Sequence, residues 1–307
     1  MEIVFLGTPQ FAVPTLEGIF AAGHRIAAVY TQPDRPKGRG QQTAHSPVKE
    51  SALKLGLTVR QPERVRRPEI VEELRAINAD VMVVVGYGQI IPQAIIDLPR
   101  FGILNVHASL LPKYRGAAPI QWAIANGETH TGVTIMQIDA GLDTGPTIAG
   151  EETAIGPEEF APELSERLAA MGARLLVETL AKLPAVAVPQ DSSKATLAPI
   201  LRKEDGRIDW QMPSNVVACR LRGFTPWPGA FTTFRGEPLK IIRARLVDER
   251  IETTPGTLLP RKRQLLAACG GATALELLEV QMEGRKKIAV EAFLNGFRPL
   301  DNEILGR

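Results

Sequence analysis

The 307 residues are 44% hydrophobic and 23% charged, the composition of an ordinary globular protein of about two domains that needs no disulfide staples. Cys219 and Cys269 form no CxxC pair, which excludes a cysteine zinc site and fits a reducing compartment. The formal charge is +2, yet residues 1–200 carry 18 Lys and Arg against 21 Asp and Glu while residues 201–307 carry 18 against 13, so a basic C-terminal third hints at a polyanionic partner.

In chain order, residues 2–6 read as a strand, followed by a helix to about Ala22 and a strand over 25–30. A helix near 47–55, a strand near 57–60 and a helix over 68–77 come next. Residues 80–85 contain the run VMVVV, β-branched and apolar on both faces, the pattern of a strand covered by helices on either side. Another short strand is expected at 103–107, then a helix at 118–126 stopped by Gly127. This βαβα rhythm predicts a doubly wound, Rossmann-like α/β domain. Residues 132–138 alternate and pair with 147–154 after a turn. Apolar steps of three and four from Leu164 to Leu183 then mark one long amphipathic helix.

Residues 184–203 read as a linker, with Pro184, Pro189 and Pro199 around Asp191, Ser192 and Ser193. Beyond it lie a short helix at 214–221 and β-rich stretches at 230–234, 239–246, 264–268 and 275–281. The turn signals Arg235-Gly236, Pro255-Gly256, Gly270-Gly271 and Glu283-Gly284 separate them, which predicts a small β-barrel. The expected domains are therefore 1–183 and 204–307. The longest uncharged apolar run, residues 81–96, is broken by Gly86, Gly88 and Pro92 and falls short of the roughly 18–20 residues of a membrane helix. The chain opens on Glu2 and an apolar stretch rather than a basic segment and cleavage site, so a cytoplasmic protein without membrane contact is expected.

Walker A, HExxH and GxSxG sequences are absent, and Gly38-Arg39-Gly40 lacks the third glycine of a dinucleotide fingerprint. The four histidines are scattered without ligand spacing, so no metal is expected. Asn105 and His107 are two apart in a strand and project from one face. They lie at the strand's carboxyl end, where open α/β sheets place their sites. An amide donor beside an imidazole can stabilise an oxyanion and move a proton; two polar caps at a strand end would look the same. In 139–145, Asp139 and Asp143 sit in a Gly-rich turn that is either a plain surface turn or a carboxylate held close to His107.

SLLPKYRGAAPIQWAI at 109–124 followed by TGVTIMQIDAGLDTG at 131–145 strongly resembles the folate-dependent formyltransferases. FLGTPQFAVPTL near the N-terminus, TQPDRPKGRG at 31–40, SPVK at 46–49 and WPGA in the C-terminal part make it similar to the branch that formylates methionine on initiator tRNA. The resemblance covers essentially the whole chain. It implies Asn105, His107 and Asp143 as the catalytic set, with Asp139 structural. It implies that Ser109, Leu110, Leu111 and Pro112, with backbone around Val85, Gly86 and Tyr87, line the site of the donor 10-formyltetrahydrofolate. The C-terminal domain would be an OB-like barrel contacting tRNA. Arg35, Lys37 and Arg39, in the long connection between residues 31 and 46, would meet the acceptor end of charged initiator methionyl-tRNA; Lys113, Tyr114 and Arg115 are further candidates to face it. A monomer without a metal is the default expectation. A sugar-nucleotide N-formyltransferase, a hydrolase of the formyl donor and a non-catalytic RNA-binding module on this fold are the competing readings; a long basic loop would have little use against a compact acceptor, and the intact Asn105/His107/Asp143 set argues against a non-catalytic module.

Overall fold

The apolar runs of the first half assemble one sheet in a computed structural model that describes residues 1–37 and 42–307. The elements are β1 (Glu2–Gly7), α1 (Val13–Ala21), β2 (Arg25–Tyr30), β3 (Arg35–Lys37), β4 (Gln42–Ala44), α2 (Pro47–Lys54), β5 (Val59–Arg60) and α3 (Pro68–Ile77). They continue as β6 (Val81–Val85), α4 (Gln93–Ile96), β7 (Ile103–His107), β8 (Arg115–Gly116), α5 (Pro119–Ala125), β9 (His130–Gln137), β10 (Thr147–Ala154), α6 (Ala161–Leu180) and β11 (Leu197–Ala198). Seven strands run in the order β10-β9-β7-β6-β1-β2-β5. β1 pairs in parallel with β2 and β6, and β6 with β7, while β9 runs antiparallel to β7. Every residue of β6 and β7 is buried, as strands covered on both faces require. The chain leaves β1 for β2 on one side and reaches β6 on the other. The carboxyl ends of β1, β6 and β7 thus flank a topological switch point, where such sheets form their clefts.

Local signals set the helix starts. Ser46 accepts from the Lys49 amide and Pro47 follows as the first helical residue of α2, a cap combined with a preset φ. Pro68 opens α3, and Asn78 closes it in the left-handed region at φ 52°.

The chain folds as two compact units. The first comprises residues 1–119, 130–153 and 165–198, the second 120–129, 154–164 and 199–307. The second unit contains α7 (Ser214–Phe224), β12 (Ala230–Phe234), β13 (Glu237–Leu246), β14 (Leu258–Pro260), β15 (Leu265–Cys269), β16 (Thr273–Met282), β17 (Ile288–Ala289) and α8 (Val290–Phe297). Its sheet has the order β12-β13-β16-β15-β14, with β17 on β16, and makes the smaller OB-like β domain. Arg235 and Gly236 both take positive φ, 52° and 78°, joining β12 to β13 in the two-residue hairpin that strand twist favours. Trp210, Leu221, Phe234, Ile241, Leu275 and Phe293 are among its buried core.

The short elements α4, β14 and β17 lie outside the sequence expectation, and three further places depart from it. The helix α8 lies outside it, although Val290, Phe293, Leu294 and Phe297 carry helical spacing. The connection between 31 and 46 contains the short hairpin β3–β4 instead of being wholly irregular. The stretch read as a linker is bonded along the first unit. Val188 bridges Thr147, and β11 pairs in parallel with β8. Gly116 is required there, since at φ 122° an added Cβ would lie 2.6 Å from the Ala198 carbonyl oxygen. Among the described residues, no helix is long and apolar enough to cross a membrane.

Candidate active site

β7 delivers Asn105 and His107 to one face near its carboxyl end, where they are 8% and 5% exposed. The imidazole Nε2 lies 3.0 Å from the Tyr114 carbonyl oxygen. A carbonyl can only accept, so Nε2 carries a proton and donates. Nδ1 is then the nitrogen left for chemistry, and it faces Asp143 Oδ2 at 3.7 Å. That distance is within ion-pair range but longer than a hydrogen bond. Asp143 Oδ2 also accepts from the Gly116 amide at 2.8 Å. No hydrogen bond to the described residues engages the Asn105 amide, which leaves its N–H groups for a ligand.

The two aspartates of the turn have different work. Asp139 Oδ1 accepts from the Gly141 amide at 3.0 Å and from Thr144 Oγ1 at 2.7 Å, so it is spent on closing the turn. Asp143 sits at φ 51°, a left-handed position that Asp tolerates better than most residues. The conformation turns its carboxylate back toward Gly116 and His107. Gln190 holds the turn from outside, its Nε2 donating to the carbonyls of Asp143 at 2.9 Å and Gly145 at 2.7 Å.

The 109–112 segment is fixed by β9. Thr134 Oγ1 donates to the Ser109 carbonyl at 2.7 Å and accepts from the Leu111 amide at 3.1 Å. The Ser109 hydroxyl is turned inward onto the Lys113 carbonyl at 2.6 Å, and the Leu111–Pro112 peptide is cis. After β6, Gly86 and Gly88 take φ 56° and 82°, and a Cβ on Gly86 would lie 2.8 Å from Pro9 Cγ. The Tyr87 carbonyl accepts from Thr8 Oγ1 and Gln32 Nε2 at 3.1 and 3.0 Å. The Tyr87 side chain points into the core, 1% exposed, and burial pushes its phenol up to about 12. Between Gly86 and Gly88, therefore, no side chain is exposed.

Arg35 is exposed at the start of β3, and Lys37 pairs with Gln42 across the hairpin. Arg39 lies outside the described residues. At the hairpin's foot, Asp34 Oδ2 meets both the Lys49 ammonium and His45 Nδ1, the latter at 3.0 Å, while Oδ1 accepts from Gln61 Nε2 at 2.8 Å. The Lys49 ammonium and the Gln61 amide hold the Asp34 carboxyl down at about 2. Gln61 Nε2 also reaches the Gln32 carbonyl at 2.9 Å, tying the hairpin's foot to the residue that grips Tyr87. Sequence reasoning misses Gln32, Gln61, Thr134 and Gln190. It also misses the backbone groups of Tyr114 and Gly116, which have no side-chain letter to betray them.

Two family profiles match the chain, one described as Formyl transferase over residues 1–180 and one as Formyl transferase, C-terminal domain, over residues 200–298. Among curated relatives, the methionyl-tRNA formyltransferase of Solibacter usitatus is 63% identical over 309 residues, spanning 100% of this chain and 99% of its own. That of Koribacter versatilis is 56% identical over 311 residues, spanning 100% and 99%. Solved structures share the fold at lower identity. WlaRD, a sugar 3N-formyltransferase determined with dTDP and 5-N-formyl-THF, superposes with a TM-score of 0.69 at 18% identity over 93% of this chain and 99% of that one. The N-formyltransferase of Helicobacter canadensis, in complex with folinic acid and dTDP-3-aminofucose, gives 0.67 at 18% over 91% and 98%. Matched along nearly its whole length by the two profiles together and by relatives of more than half identical sequence, the chain belongs to the methionyl-tRNA formyltransferase family of enzymes.

Proposed function

We propose that the enzyme moves the formyl group of 10-formyltetrahydrofolate to the α-amine of methionine esterified to initiator tRNA, acting in the cytoplasm as a monomer. The observation that carries this reading is the 63% identity, over the full length, to a relative named methionyl-tRNA formyltransferase; buried Asn105 and His107 with half-buried Asp143 offer matching chemistry.

An α-amine has a pKa of about 7.7–8.0, so a useful fraction is neutral near pH 7. It attacks the formyl carbon and produces a tetrahedral oxyanion. The Asn105 amide, and Nδ1–H of a protonated His107, are the donors for that oxygen; losing one such donor costs about 2.7–4 kcal/mol of transition-state stabilisation. Collapse must expel N10 of the folate, a nitrogen that leaves poorly as an anion and needs a proton. The attacking amine must meanwhile lose one. His107 and Asp143 relay that proton, the carboxylate facing Nδ1 while Nε2 stays anchored on Tyr114.

The donor would lie along the backbone of Val85, Gly86 and Tyr87 and the segment Ser109, Leu110, Leu111 and Pro112, at the switch point of the sheet. The catalytic domain is assigned to 1–183 and the tRNA-binding OB-like domain to 204–307, with 184–203 connecting them. Arg35, Lys37 and Arg39 are assigned to the acceptor stem, and the basic excess of the second domain to its phosphates.

Replacing His107 by Asn, or Asp143 by Asn, is expected to lower kcat at least ~100-fold while donor affinity, followed by titration, stays within a few-fold of the parent. Because the two act as one unit, the double variant is expected to be little worse than either single. Near-normal turnover in either single variant would remove that residue from the mechanism.

A further inference from the structure

The stretch following α6 contains one amide whose two ends are both committed to the catalytic loops. Gln190 Oε1 accepts from Arg115 Nε at 3.1 Å and Nη2 at 2.7 Å. Its Nε2 donates to the carbonyls of Asp143 and Gly145 at 2.9 and 2.7 Å. The orientation is unambiguous, because a guanidinium only donates and carbonyls only accept. Arg115 is itself buried, 7% exposed, and precedes Gly116, whose amide holds the Asp143 carboxylate. The same stretch grips the other arm of the site. Thr196 Oγ1 accepts from the Tyr114 amide at 2.8 Å, and the Thr196 carbonyl accepts from the Arg115 amide at 2.9 Å. Tyr114 is the residue whose carbonyl anchors His107.

We infer that Gln190 is a positioning residue for the formyl transfer: it cross-links the Asp143–Gly145 turn to Arg115 and so sets the distance between the Asp143 carboxylate and His107. This rests on the reading of Asp143 as a catalytic group. The carboxylate hangs from a left-handed residue in a glycine-rich turn, and Asp139 closes that turn only upon itself. Gln190 is the side chain that ties the turn's backbone at Asp143 and Gly145 to the opposite loop. A displacement of about 1 Å at a reacting group is enough for a ~100-fold loss of rate.

The test uses the full-length enzyme with 10-formyltetrahydrofolate and charged initiator tRNA. In Gln190→Met both sets of bonds are lost. In Gln190→Glu the shape and the Arg115 contact survive, but an oxygen faces two carbonyl oxygens, so the turn is pushed away. Both variants are expected to lose kcat by about 10–100-fold with donor and tRNA KM within about three-fold, and Gln190→Glu supplies the readout should Gln190→Met fold poorly. The discriminating measurement combines Gln190→Glu with Asp143→Asn. If Gln190 acts through Asp143, the pair is no slower than Asp143→Asn alone. Parent-like turnover in Gln190→Glu, or a full multiplicative loss in the double variant, would overturn the inference. Parent-like turnover in Asp143→Asn alone would instead overturn the catalytic assignment on which it rests.

Discussion

Asp34 shows how a single side chain does structural work at the foot of the β3–β4 hairpin. It is 19% exposed and Lys49 15%, so their attraction is less screened than that of a surface pair. Its carboxyl is held at about 2, against an ordinary 3.8. A depressed carboxyl contributes stability that is present above its unfolded value and is lost as pH falls toward its folded one. Asp34→Asn is therefore expected to lower the urea midpoint at pH 7, by an amount corresponding to roughly 1–3 kcal/mol, and the gap from the parent should persist down to about pH 5. Below about pH 4 the gap should close as the parent's own carboxyl takes up a proton. A gap that stays fully open below about pH 2 would show that the ionised carboxylate is not what stabilises this foot. Cys269 is the opposite case. Burial pushes its thiol up to about 12, leaving a small apolar filler of the second core rather than a nucleophile.

Elements with a strong period are legible in the sequence and those made by distant pairing are not. β2, α3, β7, β10 and β12 have the bounds expected of them because apolar spacing and prolines are local signals. β8 and β11 are two residues each and exist only because residues 82 positions apart meet, Arg115 with Leu197 and Gly116 with Ala198; no window of sequence contains that information. The proline-rich stretch before β11 reads as a linker for the same reason, since the partner of Gln190 is Arg115, 75 positions away. The same limit applies to the site. Asn105 and His107 are visible as neighbours on one strand face, and Asp143 is separated from Asp139 only by the resemblance. The connection that holds the β3–β4 hairpin carries the element-scale prediction. Arg39→Leu is expected to flatten the salt dependence of tRNA affinity by about 0.7–1 in log–log slope, with kcat lowered and donor binding unchanged. Lys at position 39 should rescue in part, because a point charge cannot bind bidentately. Unaltered tRNA kinetics across a salt series would free this connection of that role.

At the scale of the molecule, an α/β sheet with a topological switch point is followed by an OB-like β domain, and residues 201–307 carry 18 Lys and Arg against 13 Asp and Glu. The fold alone does not choose the acceptor, since structures of sugar N-formyltransferases superpose on this chain at 18% identity. The choice rests on the basic connection between 31 and 46, the basic segment 201–307 and the full-length relatives. The most direct measurement offers labelled formyl donor to the purified enzyme with charged initiator tRNA, a dTDP-linked amino sugar or water alone as acceptor, and compares kcat/KM. Label is expected on the methionine of the tRNA, at least ~1,000-fold in preference to the sugar nucleotide and with little release to water. Efficient transfer to the amino sugar, or hydrolysis of the donor at a rate unaffected by tRNA, would contradict it.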